Sequence, residues 1–232
     1  AILEKMAEEL YREWFVRLRF PGHEKTKISK GIPGGWEIKR LGNIVNAIMG
    51  QSPPSEFYNQ AGIGLPFNQG VGTYGQRYPQ KIMFCKATGR IVDSGTILIS
   101  VRAPVGRLNI ADCKMIIGRG LAGLNHKMGL NSYLFYLLRD KFSTEDLIGN
   151  GSVFNSVTKD ELLGLKILSP SKFLVEEFDK TVLPIDKSIS IILKNNDCLK
   201  TSRDKLLSRL MSGKIDLENL DIQFPASMQE GE

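Results

Sequence analysis

Residues 185–212 read IDKSISIILKNNDCLKTSRDKLLSRLMS, and apolar side chains recur along them at alternating steps of three and four. The series begins at Phe178 and Val182 and continues through Ile185, Ile189, Ile192, Asn196, Leu199, Arg203, Leu206 and Leu210. This 3.5-residue spacing is that of a coiled-coil seam. We expect the stripe to be buried against the same helix of a second molecule. The alternative is that these positions are solvated on a helix lying over its own domain.

Two polar residues interrupt this seam. Asn196 and Arg203 weaken the helix contact but fix its register, because a misaligned pairing would bury them without partners. About 28 helical residues form a rod on the order of 42 Å long. A symmetric pair of such rods would hold two globular domains tens of ångströms apart, which is about one turn of duplex DNA.

The charge of the chain is unevenly distributed. Residues 1–215 hold all 31 Lys and Arg but only 20 of the 25 Asp and Glu, which leaves a net charge of +11. Residues 216–232 carry the other five acidic residues and no basic one. A basic body favours a polyanionic partner, although charge alone is a weak indicator.

Several classes of protein are disfavoured by composition. No apolar run approaches the roughly 18 residues that a membrane span needs, and no leader-like segment opens the chain, so we expect a cytoplasmic protein without membrane contact. The cysteines are Cys85, Cys113 and Cys198, and the histidines are His23 and His126. Their number and spacing support neither a disulfide framework nor a zinc site.

The order of patterns predicts an α+β fold: a mixed globular domain followed by a long coiled-coil helix. We expect an N-terminal helix stub at 1–20, a linker at 21–35, a recognition domain at 36–170, coiled-coil helices at 171–213 and a flexible acidic tail at 214–232. Within the stub, Leu3, Met6, Leu10 and Trp14 share one helical face. Pro184 predicts a break or kink between a first helical segment, 172–182, and the seam.

Short β-type runs separated by glycine-rich turns fill the domain, namely 81–84, 96–101, 107–111 and 114–117. A helix is predicted at 131–142, capped by Asn131 or Ser132, and a second one follows a capping box formed by Thr158 and Glu161. Residues 121–129 contain two glycines and an asparagine and are predicted to be irregular.

The motifs that could carry catalysis lack their context. Two G-x-G-x-x-G strings begin at Gly70 and Gly118, but the first follows no predicted strand and neither leads into a predicted helix. Glu37 and Lys39 have a nuclease-like spacing without a preceding acidic residue. The sequence therefore predicts a non-catalytic chain.

The polar loops of the domain favour DNA recognition. They carry amides, which pair with adenine edges, and guanidinium groups, which pair with guanine, on a glycine-rich frame. The candidate DNA-binding residues are Gln69, Thr73, Tyr74, Gln76, Arg77, Tyr78, Arg102, Arg107, Asn109, Arg119, Asn150, Ser152, Asn155 and Lys159. The loops provide no residue-to-base code, so the recognised bases stay open.

Five segments together resemble the DNA-specificity subunit of type I restriction-modification systems. These segments are LYREWFVR with FPGH (10–17 and 20–23), GWEIKRLG (35–42), MGQSPP (49–54), residues 151–162, and LLSRLMSGKIDL (206–217). The first and last are similar to the family's conserved helices, and the others to its recognition domain. The likeness covers nearly the whole chain.

The resemblance implies a function and partners. The family's usual chain has two recognition domains joined by two antiparallel conserved helices, whereas this chain has one domain. It is therefore either a half-length subunit or part of a longer chain. An antiparallel homodimer, paired through Ile185, Ile189, Ile192, Asn196, Leu199, Leu206 and Leu210, would restore two domains and read an inverted repeat.

The further partners implied are double-stranded DNA, modification methyltransferase subunits on the helical rod, and a restriction translocase subunit. S-adenosylmethionine, ATP and Mg²⁺ would act in those partner subunits, and this chain would need no cofactor or metal. The competing hypothesis is a coiled-coil interaction scaffold that reads no DNA sequence.

Overall fold

The computed structural model describes residues 2–143 and 156–214, and it confirms an α+β fold with a long C-terminal helix. The helices are α1 (Ile2–Tyr11, extended by a π-helical turn at Arg12–Val16), α2 (Leu41–Ile44), α3 (Asn131–Ser143), α4 (Lys159–Gly164) and α5 (Lys172–Met211). The strands are β1 (Ile28–Ser29), β2 (Ile32–Pro33), β3 (Glu37–Arg40), β4 (Val45–Met49), β5 (Tyr58–Asn59), β6 (Leu65–Asn68), β7 (Phe84–Cys85), β8 (Ile91–Val92), β9 (Ile97–Ser100), β10 (Leu108–Ile110), β11 (Met115–Ile117), β12 (Leu121–His126) and β13 (Lys166–Ser169). The predicted capping box at Thr158 and Glu161 is present at the start of α4.

Two larger sheets organise the described part of the domain. One is antiparallel with the order β10-β9-β12-β4, and the other has the order β5-β7-β6-β11-β8 and contains the parallel pair β6 and β11. Residues 118–120 lead from β11 in the second sheet directly into β12 in the first. This short turn therefore joins the two sheets.

Strand β12 corrects the prediction that residues 121–129 are irregular. It is the central strand that pairs with both β9 and β4, and most of its residues are buried. Burial on both faces removes the alternation that marks a strand in a sequence. The absence of a side chain at Gly123 allows close packing, because a Cβ there would lie 2.7 Å from the Cγ1 of Val92.

An aromatic cluster joins α1, α3 and the beginning of α5. The ring centroid of Phe15 lies 5.3 Å from that of Tyr133 and 5.2 Å from that of Phe178. The rings of Tyr11 and Phe178 are 5.8 Å apart and nearly perpendicular, a favourable edge-to-face arrangement. The N-terminal helix is therefore part of the domain core.

The buried face of the N-terminal helix is rotated relative to the apolar face seen in the sequence. Ala7, Tyr11 and Phe15 are buried at four-residue steps, whereas Met6 is 54% exposed. Leu10 and Trp14 of the predicted face are partly buried against the same core. The large rings of Tyr11 and Phe15 provide more area to bury than Met6 does, and this favours the rotation.

The N-terminus of α3 is held by a residue of α5. The Asp179 carboxylate accepts a hydrogen bond from the Tyr133 N–H at 3.0 Å, which performs the capping that the sequence assigned to Asn131 or Ser132. Burial raises the pKa of Asp179, and hydrogen bonds from the backbone of Tyr133 and Ser132 act in the opposite direction. The Ser132 hydroxyl instead donates to Asp186 at 2.6 Å.

A buried ion pair completes this attachment. The Arg77 guanidinium donates to the Asp186 carboxylate at 2.5 Å and lies 3.5 Å from the Glu4 carboxylate. It also donates to the Tyr136 hydroxyl at 3.4 Å and stacks 4.7 Å from the ring centre of Phe135. The loop that contains Arg77 is thus tied to α1, α3 and α5 at one point.

Helix α5 runs through Pro184 without a break, and the kink that the sequence offered as the alternative stays a prediction. A proline within a helix removes one main-chain hydrogen bond. Val182 before it is buried in the core, and Asp186 after it is bound by Arg77. Tertiary contacts on both sides of the proline therefore outweigh the lost hydrogen bond.

The chain divides into two compact units, Ala1–Asp186 and Lys187–Glu232. The first contains the sheets, α1–α4 and the beginning of α5. The described part of the second is the remainder of α5 and the turn that follows it to residue 214. In this part of α5, Ile192, Leu199 and Leu206 are 48%, 66% and 53% exposed.

We expect Arg77→Ala to lower the free energy of unfolding by about 3–5 kcal/mol, because it leaves the Asp186 charge buried without its partner. Equilibrium urea denaturation measures this change. Arg90 is exposed, and Arg90→Ala should change the stability by no more than about 0.5 kcal/mol. Equal midpoints for the two variants would contradict a stabilising role for the buried pair.

Candidate nucleic-acid interface

Four strands end at one corner of the domain, where the two large sheets meet. Ile117 at the end of β11 pairs with Asn68 at the end of the parallel strand β6. Leu121, which opens β12, pairs with Ser100 at the end of β9, and Ala122 pairs with Met49 at the end of β4. The segments that follow these four ends therefore lie side by side.

Each of these segments exposes one long polar side chain within three residues of its strand. They are Gln51 after β4, Gln69 after β6, Arg102 after β9 and Arg119 after β11. We refer to these four residues as the strand-end cluster. The cluster thus contains two amide and two guanidinium side chains. These two types of side chain are the ones most used to read adenine and guanine in the major groove.

Main-chain hydrogen bonds fix the members of the strand-end cluster relative to one another. The Gly120 N–H donates to the Gln69 carbonyl at 3.1 Å, and the Val101 N–H donates to the Gly120 carbonyl at 2.9 Å. The Gln51 N–H donates to the Ile117 carbonyl at 3.0 Å.

Glycine makes this close approach possible. A Cβ on Gly118 would lie 2.8 Å from the Cα of Gln69, and one on Gly120 would lie 2.6 Å from the Gln69 carbonyl oxygen. The second G-x-G-x-x-G string is therefore explained by the packing of one backbone against another. The first string follows β6, contrary to expectation, and leads into a 3₁₀ turn at Val71–Thr73 and not into a helix long enough for a dinucleotide site.

Two side chains hold the segments next to the strand-end cluster. The Ser52 hydroxyl accepts the Arg119 N–H at 3.2 Å, and the Tyr58 hydroxyl donates to the Pro53 carbonyl at 2.6 Å. Burial raises the pKa of Tyr58, and the positive charge of Arg119 acts in the opposite direction. The Arg119 guanidinium therefore lies within electrostatic range of the Tyr58 phenol.

Several predicted DNA-binding residues are exposed and available to a ligand. Within the described residues, these are Gln69, Gln76, Arg102, Arg107, Arg119 and Lys159. In that same part of the chain, the three arginines among them form no ion pair with a carboxylate. Arg107 shares a hairpin with Arg102, and the backbone of Arg102 bridges to Ser156, three residues before Lys159.

Two predicted DNA contacts are corrected, because Arg77 in the loop 73–78 and Asn109 in β10 are buried. Arg77 is 2% exposed and Asn109 is 1% exposed. Burial acts to lower the pKa of Arg77, but the charges of Asp186 and Tyr136 outweigh it and raise this pKa. The Asn109 amide donates to the Gly75 carbonyl at 3.2 Å, so both side chains serve the domain interior.

Thr73 and Tyr74 in the loop 73–78 are also held by the protein. The Thr73 hydroxyl donates to Asn68 at 2.7 Å, and Tyr74 packs against the cluster that includes Val92 and Leu98. Burial raises the pKa of Tyr74. Tyr78 is half-buried.

Gln76 lines a cleft of mixed charge, which contains three glutamates and three basic residues. Glu8 forms ion pairs with both Arg12 and Arg139. The cleft therefore has no excess of positive charge to attract a phosphate backbone. The predicted residues Asn150, Ser152 and Asn155 lie outside the described residues. Gln51 was not predicted as a site residue, although its position in a glycine-flanked polar loop resembled that of Gln69.

Other classes of site receive no support from the geometry. Among residues 2–143 and 156–214, no group of three or more His, Cys, Asp or Glu is placed to hold a metal ion. Over the same residues, none of the helices has the length and apolar character needed to cross a membrane.

The fold and the strand-end cluster define a recognition domain joined to a long helix, and comparison with known proteins assigns its class. Residues 33–210 match the type I restriction modification DNA specificity domain. The chain therefore belongs to this family, which confirms the resemblance seen in the sequence.

The relatives of this chain are longer. It is 37% identical over 220 residues to the protein assigned as the MjaX specificity subunit of a type I restriction enzyme in Methanocaldococcus jannaschii, covering 92% of this chain and 52% of that protein. The structure of the HsdS subunit from Thermoanaerobacter tengcongensis is similar at 30% identity with a TM-score of 0.59, covering 92% of this chain and 51% of that one.

A structure that describes complex assembly and conformational transition of a type I restriction-modification system contains a third similar chain. It is 33% identical with a TM-score of 0.58, and the match covers 91% of this chain and 51% of that one. The chain thus spans about half the length of the relatives it matches.

We expect Gly118→Ala to lower the free energy of unfolding by about 1–3 kcal/mol, because the added Cβ overlaps backbone that cannot move freely. Thermal or urea denaturation measures the change. Gly72 has open space around it, so Gly72→Ala is the matched control and should not lower the stability by more than about 0.5 kcal/mol. A Gly118→Ala protein as stable as the control would show that the strand ends can separate.

Proposed function

We propose that this chain is a DNA-specificity subunit that binds duplex DNA and reads one half-site of a bipartite target. The observation that carries the proposal is the strand-end cluster, in which two amides and two guanidinium groups are exposed on hydrogen-bonded segments. The family to which the chain belongs supports it. The net charge of +11 over residues 1–215 favours attraction to DNA.

The exposed cations around the cluster fit phosphate contacts. Arg107 and Lys159 stand in segments next to Arg102 and are exposed. Contacts to phosphates orient a protein on the duplex, and contacts to base edges specify the sequence. Arg107 and Lys159 would therefore contribute affinity without base preference.

The chain would supply recognition, and other subunits would supply the chemistry. We propose that modification subunits bind the helical rod and that a restriction translocase joins the complex. S-adenosylmethionine, ATP and Mg²⁺ would be used there. Family membership supports this division of roles.

The exposed part of α5 supports pairing with a second copy. Ile185 packs against the domain core and Ile189 is buried, but Ile192, Leu199 and Leu206 are about half or more exposed. Leu210 is 36% exposed on the same line. An antiparallel pair of these helices would bury the stripe, place Asn196 within the seam and present two identical recognition domains.

The same apolar stripe favours the second hypothesis, an interaction scaffold that reads no DNA sequence. Such a scaffold would use α5 in the same way. It would differ in its response to DNA, since its positive charge would be incidental.

We expect binding to a duplex that contains the target to weaken steeply with salt, because each phosphate contact releases counterions. With four to six contacts, the slope of log K against log salt concentration would be on the order of −4 to −5. Fluorescence anisotropy over a salt series measures this slope. Equal affinity for target and random duplexes, with or without modification subunits, would instead support the scaffold.

We expect the double variant Leu199→Lys, Leu206→Lys to be monomeric where the native chain is dimeric, because two charges would replace apolar groups in the seam. Analytical ultracentrifugation measures the mass. Lys205→Ala, at an exposed position outside the seam, is the control and should stay dimeric. A native chain that sediments as a monomer with its modification subunits would contradict the pairing.

A further inference from the structure

Three members of the strand-end cluster are held more closely than the fourth. The turn 118–120 carries Arg119 and is bonded to the segment of Gln69 through main-chain groups and to the segment of Gln51 through the Ser52 hydroxyl. Arg102 is connected to this turn only through Val101, its neighbour in the chain. Gln51, Gln69 and Arg119 are therefore positioned as one group.

One peptide bond fixes the order of the three backbone segments that carry these side chains. The carbonyl of Ile117 accepts from the Gln51 N–H at 3.0 Å, and the N–H of Gly118 donates to the Asn68 carbonyl at 2.8 Å. The carbonyl and the N–H of a trans peptide point in opposite directions. The Gln51 segment and the Gln69 segment therefore flank the turn on opposite sides, and Arg119 stands between them.

The spacing of these segments suits neighbouring base pairs. Hydrogen-bonded extended segments lie about 4.8 Å apart, and base pairs are stacked about 3.4 Å apart along the duplex. The offset between neighbouring segments exceeds that between neighbouring base pairs by about 1.4 Å, a difference that long glutamine and arginine side chains can span by bending toward one another. The three side chains can therefore reach three consecutive base pairs.

We propose that Gln51, Arg119 and Gln69 act as one base-reading unit in the major groove, which takes a G·C pair flanked on each side by an A·T pair. Arginine donates two hydrogen bonds to guanine O6 and N7, and glutamine pairs with adenine N6 and N7. This inference rests on the proposed function as a DNA reader. It adds which base pairs are read and by which residues.

The surroundings of Arg119 support its central role. Ser52 holds its main-chain N–H, and the half-buried Tyr58 lies within electrostatic range. Glycines on both sides keep the backbone close to its neighbours, so the exposed side chain is the group that can extend toward a base. Arg102 lacks this support, and we assign it to a phosphate.

The test is selection of bound sequences from a randomised duplex library, with the full chain alone and with its modification subunits. The native chain should enrich a motif that contains a G·C pair between two A·T pairs. Arg119→Ala should lower the preference at the central pair by about five- to 150-fold and leave other positions unchanged. Gln51→Ala and Gln69→Ala should each relax one flanking pair.

Arg102→Ala is the matched control, because it removes the same charge from the same corner. It should weaken binding to all sequences about equally and preserve the motif. Thermal unfolding of each variant verifies folding, and Gln69→Ala, which leaves the turn intact, tests the unit independently of Arg119.

The possible outcomes separate this inference from the function on which it rests. A uniform loss of affinity for Arg119→Ala, or a native motif without a G·C pair between A·T pairs, would overturn the reading unit while DNA recognition stands. A native chain that enriches no sequence in either arm would overturn both.

Discussion

The ion pair between Arg77 and Asp186 is the contact on which the arrangement of the recognition domain depends. A guanidinium group removed from water is costly unless charged and hydrogen-bonding partners surround it. Asp186, Glu4 and Tyr136 provide those partners from three different helices. Because all must be in place at once, the loop 73–78, α1, α3 and the beginning of α5 form a single cooperative structure. The aromatic cluster around Phe178 packs against this same junction.

At the strand ends, close packing depends on the absence of side chains and not on a side-chain contact. There, Gly118 and Gly120 bring backbones into contact and leave no interior space for side chains. The long side chains of Gln69 and Arg119 are therefore exposed, on segments whose positions the two sheets fix. A site built on strand ends is more rigid than one built on a long loop, and rigidity reduces the entropy lost on binding. The exposure of these polar side chains is thus a consequence of the close backbone packing beneath them.

Local patterns in the sequence predicted much of the fold. The heptad of α5, the capping box at Thr158 and the apolar runs of β9, β10 and β11 depend on residues close together in the chain. Strand β12 could not be predicted in this way, because burial on both faces leaves no alternation.

The site was predicted less completely, because its geometry depends on long-range contacts. Arg77 stands in a polar, glycine-rich loop like a surface residue, and its partner Asp186 lies 109 positions away. The position of Gln51 is fixed by its hydrogen bond to Ile117, a residue far from it in the sequence. Gln69, Arg102 and Arg119 were predicted from their residue types, and the structure shows that they are exposed at one corner.

The inclusion of Asp179 and Asp186 in the recognition domain has a consequence for the exchange of such domains between relatives. A recombination joint at Pro170 would pair Arg77 and α3 of one parent with α5 of another. In the joined chain, the Arg77 cation and the N-terminus of α3 would meet an α5 helix whose residues come from a different parent. Joints placed after Asp186 keep both contacts within one parental segment. Engineered chimeras should therefore tolerate crossovers in the exposed half of α5 better than at its beginning.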